Sequence, residues 1–152
     1  MEDRSASNQR EKYPVRCHCG AVRGIFSCDS QSVTAVECNC SDCFMRQNTH
    51  LIVPASDFAL DMDVPLDSAT ILYQWGTKTA IRRFCKVCGI LPWYHPRSNP
   101  DGVAVTIHCV DWTKGDTVSA PVIELMKFDG QHWQKSMDAN REKMSEMSKP
   151  KL

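Results

Sequence analysis

The chain has 152 residues, 18 Lys+Arg against 18 Asp+Glu, and nine cysteines. That length suits one domain with its own core, and zero net charge gives no global field for nucleic acid or an anionic membrane. The sequence holds no run of 18 apolar residues, so no membrane-spanning helix is expected, and an odd cysteine count excludes complete disulfide pairing.

Residues 1–13 are polar and are expected to form a disordered N-terminal segment. The opening MEDRSASNQREK lacks the apolar core of a secretory signal, so a reducing intracellular compartment is expected, where thiols persist. The domain is placed at 14–133. Ala21 to Phe26 reads as a short strand, and Val33 to Cys38, rich in β-branched residues, as another. Ser41 and Asp42 offer a helix cap, which sets Cys43 in a first helical turn, where thiol pKa values fall. His50 to Val53 returns to strand and stops at Pro54. Residues 54–69 are acidic and turn-rich and read as a surface loop. Thr70 to Gln74 and Thr79 to Phe84 flank Trp75-Gly76-Thr77-Lys78 as a hairpin that delivers Cys85. Leu91 to Tyr94 is extended, residues 96–102 are dense in turn formers, and Val103 to His108 and Val122 to Phe128 are strands. Residues 134–152 are expected to be a C-terminal tail, with a short helix carrying Met137, Met144 and Met147 and then a frayed end. About seven short strands and little helix make a mainly β domain with metal knuckles at its edges.

Seven of the nine cysteines fall in three clusters: Cys17-His-Cys19, Cys38-Asn-Cys40-Ser-Asp-Cys43 and Cys85-Lys-Val-Cys88. Residues two apart are too close for a relaxed disulfide but suit thiolates converging on a soft divalent ion at about 2.3 Å. Zinc is the default metal for such clusters, with iron second. Cys17, Cys19, Cys85 and Cys88 together supply the four ligands of a closed structural site. Gly20 and Gly89 follow the two pairs, and a left-handed glycine lets the chain leave a zinc knuckle. Cys38, Cys40 and Cys43 supply three ligands and leave one position open, the pattern of a catalytic zinc. Three thiolates on Zn²⁺ leave a net charge of −1, a weak Lewis acid suited to holding an incoming thiol as thiolate. The alternative is a second structural site closed by Cys28, Cys109, His18, His50, His95 or His108. Cys28 and Cys109 stand alone and read as structural.

Five motifs then show a resemblance: Cys17-His-Cys-Gly-Ala-Val22, Cys38-Asn-Cys-Ser-Asp-Cys43, Asn48-Thr-His-Leu-Ile-Val-Pro54, Phe84-Cys-Lys-Val-Cys-Gly89 and Pro96-Arg-Ser-Asn-Pro100. In order and spacing the chain resembles the glutathione-dependent formaldehyde-activating enzyme family from about Val15 to Trp133. Around Phe44-Met-Arg-Gln-Asn-Thr-His50 it is closer to the branch containing centromere protein V than to the bacterial enzymes. The resemblance implies an Mss4-like fold of small coiled β-sheets. It implies a structural zinc on Cys17, Cys19, Cys85 and Cys88, and a catalytic-type zinc on Cys38, Cys40 and Cys43. The activity it implies joins formaldehyde to glutathione as S-hydroxymethylglutathione, a carbon–sulfur lyase reaction. Within that chemistry His50, His95 or water is the expected source of the proton an alkoxide needs, and Arg97 is the expected bidentate grip on a carboxylate of glutathione.

Two other functions compete with this one. A non-catalytic zinc adaptor of the centromere protein V type is the alternative, and a zinc-bearing chaperone or exchange factor is what the fold alone suggests. A nucleic-acid role is disfavoured: Lys135 to Lys151 carries five Lys+Arg against three acidic residues, too mild a surplus. The end Ser148-Lys149-Pro150-Lys151-Leu152 matches the peroxisomal Ser-Lys-Leu signal only in its final Lys-Leu. The cytoplasm is therefore the expected compartment, with the nucleus and the peroxisome as alternatives.

Overall fold

The computed structural model describes residues 9–151. A small antiparallel sheet is built from β1 (Arg10–Arg16), β2 (Arg23–Asp29) and β5 (Phe58–Leu60), in the order β1-β2-β5. Each long strand alternates: Tyr13 and Val15 of β1 and Phe26 and Cys28 of β2 face inward, while Pro14, Arg16 and Ile25 face out. Tyr13, Phe26 and Trp112 meet there with ring centroids 5.1–6.1 Å apart.

The second sheet has seven strands. They are β3 (Ser32–Cys38), β4 (Thr49–Pro54), β6 (Thr70–Tyr73), β7 (Ile81–Cys85), β8 (Trp93–His95), β9 (Gly102–Thr106) and β10 (Val122–Phe128). Their order is β10-β3-β4-β9-β8-β7-β6. All pairs are antiparallel except β10 with β3, which run parallel from Val122↔Ser32 to Phe128↔Cys38. Both central strands, β4 and β9, are almost continuously buried, because each face of this sheet is covered. On one face Leu51, Val53, Val103, Val105 and Trp93 pack against the small sheet. On the other, Val36, Ile52, Tyr94, Ala104 and Phe128 pack against Met137 and Met144 of α3 (Trp133–Met147).

Strand β1 begins at Arg10, inside the expected disordered segment; residues 1–8 of that segment lie outside the described residues. Alternation with the β2 ladder recruits the polar start of β1. Residues 54–69 are more than loop, holding β5 and the short α2 (Leu66–Ala69). The expected tail is instead a 15-residue helix bent at Asn140, whose side chain donates to Ser136 O at 2.8 Å. Among the described residues ten strands replace the expected seven, the mainly β character stands, and the architecture is consistent with an Mss4-like fold. Among the described residues no helix is long and apolar enough to cross a membrane.

Candidate metal centres

The two knuckles lie far apart in the sequence. One follows β1; the other follows β7. Gly20 (φ +80°) and Gly89 (φ +76°) both adopt the left-handed conformation expected of them. Gly20 N donates to Cys17 O at 3.2 Å, and Gly89 N to Cys85 O at 2.8 Å, closing two similar turns. The Sγ atoms of Cys17, Cys19, Cys85 and Cys88 lie within 4.8 Å of one another. Cys17 to Cys19 is 3.7 Å and Cys19 to Cys85 is 3.5 Å. A tetrahedron with metal–sulfur bonds of ~2.3 Å has edges of about 3.8 Å, so these four sulfurs fit zinc. Val22 N donates to Cys17 Sγ at 3.3 Å, the backbone contact that steadies a thiolate ligand.

The second cluster forms where β3 turns into α1 (Ser41–Arg46). Cys38, Cys40 and Cys43 also gather their Sγ atoms within 4.8 Å, and among the described residues no other Cys, His, Asp or Glu joins them. The cap of α1 is Cys40, not Ser41 or Asp42: its thiol accepts from Cys43 N at 3.4 Å. Asp42 is committed elsewhere, accepting from Arg46 at 2.6 Å and pairing with buried Arg82 of β7, which pins α1 to the sheet. The helix N-terminus therefore acts on Cys40 rather than Cys43. Hydrogen bonds from the Cys38 and Cys43 thiols, aided by the Cys43 and Asp42 N–H groups, pull Cys40 down to about 2. Contacts with Cys38 and Cys40 push Cys43 far up, and the contact with Cys40 pushes Cys38 up. A thiolate held by two thiols is a donor set that wants a cation, so this cluster also fits zinc.

A cavity of about 190 Å³ opens on the three thiols. Register explains who lines it. Arg82 pairs with Tyr94, and Tyr94 with Ala104, so Arg82 and Tyr94 stand side by side on the α3 face of the sheet. His50 sits on the same face, opposite Val36. The Tyr94 hydroxyl is 3.4 Å from each His50 ring nitrogen and in hydrogen-bonding reach of Cys43. Burial pushes His50 down to about 4, and burial followed by charge on Cys43 raises Tyr94 well above its ordinary value. Both groups are therefore neutral at pH 7. Exposed Arg97 lies at the rim, its guanidinium 3.7 Å from the centre of the Trp133 ring.

Residues 12–127 match the family described as glutathione-dependent formaldehyde-activating enzyme. The chain belongs to that family. It is also similar to the crystal structure of a Rhodobacter sphaeroides protein, with a TM-score of 0.55 and 27% identity over 72% of this chain and 98% of that one.

Of the family-type residues expected from the sequence, the structure gathers His50 and Arg97 at the cavity with the three thiols. His95 is not among them; its Nδ1 lies 3.2 Å from Gly102 O. Cys28 is buried in the core, which pushes its thiol up to about 12, and Cys109, raised by burial to about 11, packs beside the four-thiol site. Sequence reasoning missed Tyr94, Arg82, Trp133 and Gly130. The sequence does alternate through Trp93-Tyr94-His95, but only the sheet register shows which of the three meets the cavity. Gly130 reads as an ordinary turn residue, yet the chain there crosses directly over Cys38.

Proposed function

We propose that the protein is a zinc-dependent carbon–sulfur lyase that forms and cleaves the glutathione adduct of an aldehyde, in the manner of S-(hydroxymethyl)glutathione synthesis. The observation that carries this reading is a three-thiol cluster with no fourth protein donor among the described residues, facing a cavity with two neutral hydrogen-bonding side chains. Zinc, when held by Cys38, Cys40 and Cys43, would lower the pKa of an incoming thiol, about 8.5 when free, and hold it as thiolate at neutral pH.

The remaining work belongs to the chain. In the adduct-forming direction a carbon–sulfur bond forms and the carbonyl oxygen takes a proton. Tyr94 carries a hydroxyl within hydrogen-bonding reach of Cys43 and donates that proton, with His50 beside it as hydrogen-bond partner. Neutral His50 orients and accepts; it does not supply the proton as imidazolium. Arg97, stacked on Trp133, presents its fork to a glutathione carboxylate at the rim. Asp42 and Arg82 hold α1, and with it Cys43, at the edge of the cavity. A reducing intracellular compartment, most simply the cytoplasm, suits free thiols and a glutathione substrate.

The test is cobalt in place of zinc, with glutathione titrated while the thiolate-to-metal bands are followed. A shift confined to the bands lost in Cys40→Ser supports the enzyme. No shift at millimolar glutathione overturns it. Rates with formaldehyde are read against the uncatalysed addition.

A non-catalytic adaptor of the centromere protein V type is the second reading. What favours it is an open apolar groove between α1 and the β6–β7 hairpin, with Met45, Ile71, Tyr73, Trp75 and Val87 exposed. Silent cobalt bands together with a retained fold would favour the adaptor.

A further inference from the structure

We infer that the cavity beside the three-thiol cluster takes the thiol adduct of an aldehyde with an apolar chain or ring, larger than a one-carbon carbonyl. This rests on the reaction proposed above and names its substrate class.

Size is the first observation. The cavity of about 190 Å³ holds roughly six water-sized volumes at ~30 Å³ each. A metal ion on the three thiols would take about one, the thiol sulfur about one and a one-carbon carbonyl about two, which leaves roughly a third of the space unfilled. Water could fill that remainder only where polar partners face it, and the walls are the second observation. Val36, Ala80, Phe128 and Met144 are buried and line it, and Trp75 and Trp133 flank it. The inner polar side chains already have partners, Arg82 with Asp42, Tyr94 with His50 and Thr77 with Thr79, while Arg97 at the rim keeps its N–H groups for a carboxylate. Apolar walls whose inner polar groups are already paired favour an apolar occupant over ordered water.

The chemistry balances with no oxidant or reductant. In cleavage the carbon–sulfur bond breaks and its electron pair leaves on sulfur. The adduct's O–H pair becomes the second bond of the carbonyl, and the hydroxyl proton departs along the Tyr94 hydroxyl to His50 or solvent. An alkyl or aryl group on the carbonyl carbon takes no part in these steps. It adds binding: each buried CH₂ strengthens association by roughly four-fold at most, less the cost of ordering the chain.

The zinc-loaded full chain is titrated by calorimetry with S-methyl-, S-butyl- and S-hexylglutathione. These are stable thioethers whose alkyl groups stand for the carbonyl part. The expected result is an affinity that rises at least ten-fold from S-methyl to S-hexyl. Equal affinities, or weaker binding of S-hexyl, overturn the inference. Ala80→Leu extends a side chain into the cavity and should bring the S-hexyl and S-methyl affinities together; a gradient that survives places the alkyl group elsewhere and overturns the assignment. Should that variant not fold, Trp133→Ala serves, and it should weaken S-hexyl several-fold more than S-methyl. Catalysis separates this inference from the reaction it rests on. Exchange between free aldehyde and glutathione adduct, followed by NMR saturation transfer above the protein-free rate, should be accelerated most for hexanal. Greatest acceleration for formaldehyde overturns the inference and leaves the reaction standing. No acceleration for any aldehyde, with cobalt bands silent to glutathione, removes both.

Discussion

Gly130 lies so close over Cys38 that a Cβ at position 130 would stand 2.4 Å from Cys38 Sγ and 2.9 Å from Cys40 Cβ. Neither neighbour is the free end of a flexible side chain. Moving Cys38 Sγ disturbs the cluster, and moving Cys40 disturbs the cap of α1. Gly130→Ala should therefore weaken metal binding at the three-thiol cluster by about ten-fold or more, the scale of a supporting contact to a ligand. The four-thiol site should be untouched. Competition with a graded set of chelators reads both affinities, and an unchanged second affinity would show that the segment simply moves aside.

The two clusters should fail differently. The metal energy of a structural four-cysteine site, about 10–16 kcal/mol, is comparable to or exceeds the whole stability of a domain, about 5–15 kcal/mol. Cys85→Ser should thus unfold the chain or leave it collapsed, as should zinc removal. Cys40→Ser should keep the fold, bind one zinc instead of two and lose activity. Circular dichroism with metal stoichiometry distinguishes them. Equal loss of structure in both variants would make both sites structural.

The two cysteine clusters were legible because residues that could share a metal fall at short spacing: Cys17 with Cys19, Cys85 with Cys88, and a left-handed glycine after each pair. Strands β3, β4, β9 and β10 were legible through their β-branched runs. What stayed hidden is long-range. β1 begins at polar Arg10 because β2 supplies its ladder, not because its own residues demand a strand. Helix α3 buries only Met137 and Met144, too sparse a stripe to announce 15 residues. The cavity depends on register across β7, β8 and β9, which no local pattern carries.

The end of α3 is fastened by Asn99, whose Nδ2 donates to Met144 O at 2.7 Å and Ser148 Oγ at 2.8 Å. Ser148 in turn donates to Asp101 at 2.8 Å. Asn99→Ala should cost about 1–3 kcal/mol, since it strands the buried Met144 carbonyl and takes from the Ser148 hydroxyl one of its two partners. The loss falls at the lower end of that range, because it also removes a buried Oδ1 that has no partner. A Tm lowered by about 2–4 °C per kcal/mol, with weakened ligand binding as Met144 leaves the cavity wall, is the expected outcome. A variant as stable as the parent would show that the clasp carries no net energy.

Buried His50 sets a pH dependence whose sign follows from its depressed pKa. Burial holds it at about 4 against an ordinary 6.5, so the unfolded chain binds this proton first as pH falls. Stability is therefore unaffected by His50 above about pH 6.5 and declines steadily toward pH 4. Below that the folded state binds the proton too and the loss levels off. The total approaches about 3 kcal/mol. Thiol protonation and metal release act in the same window, so the informative quantity is the difference between parent and His50→Gln. Urea midpoints between pH 7 and 4 should fall less steeply in the variant, by close to one proton in the linkage slope. Parallel slopes would mean that His50 reaches water before the fold opens, and its place as a neutral partner of Tyr94 would fall with it.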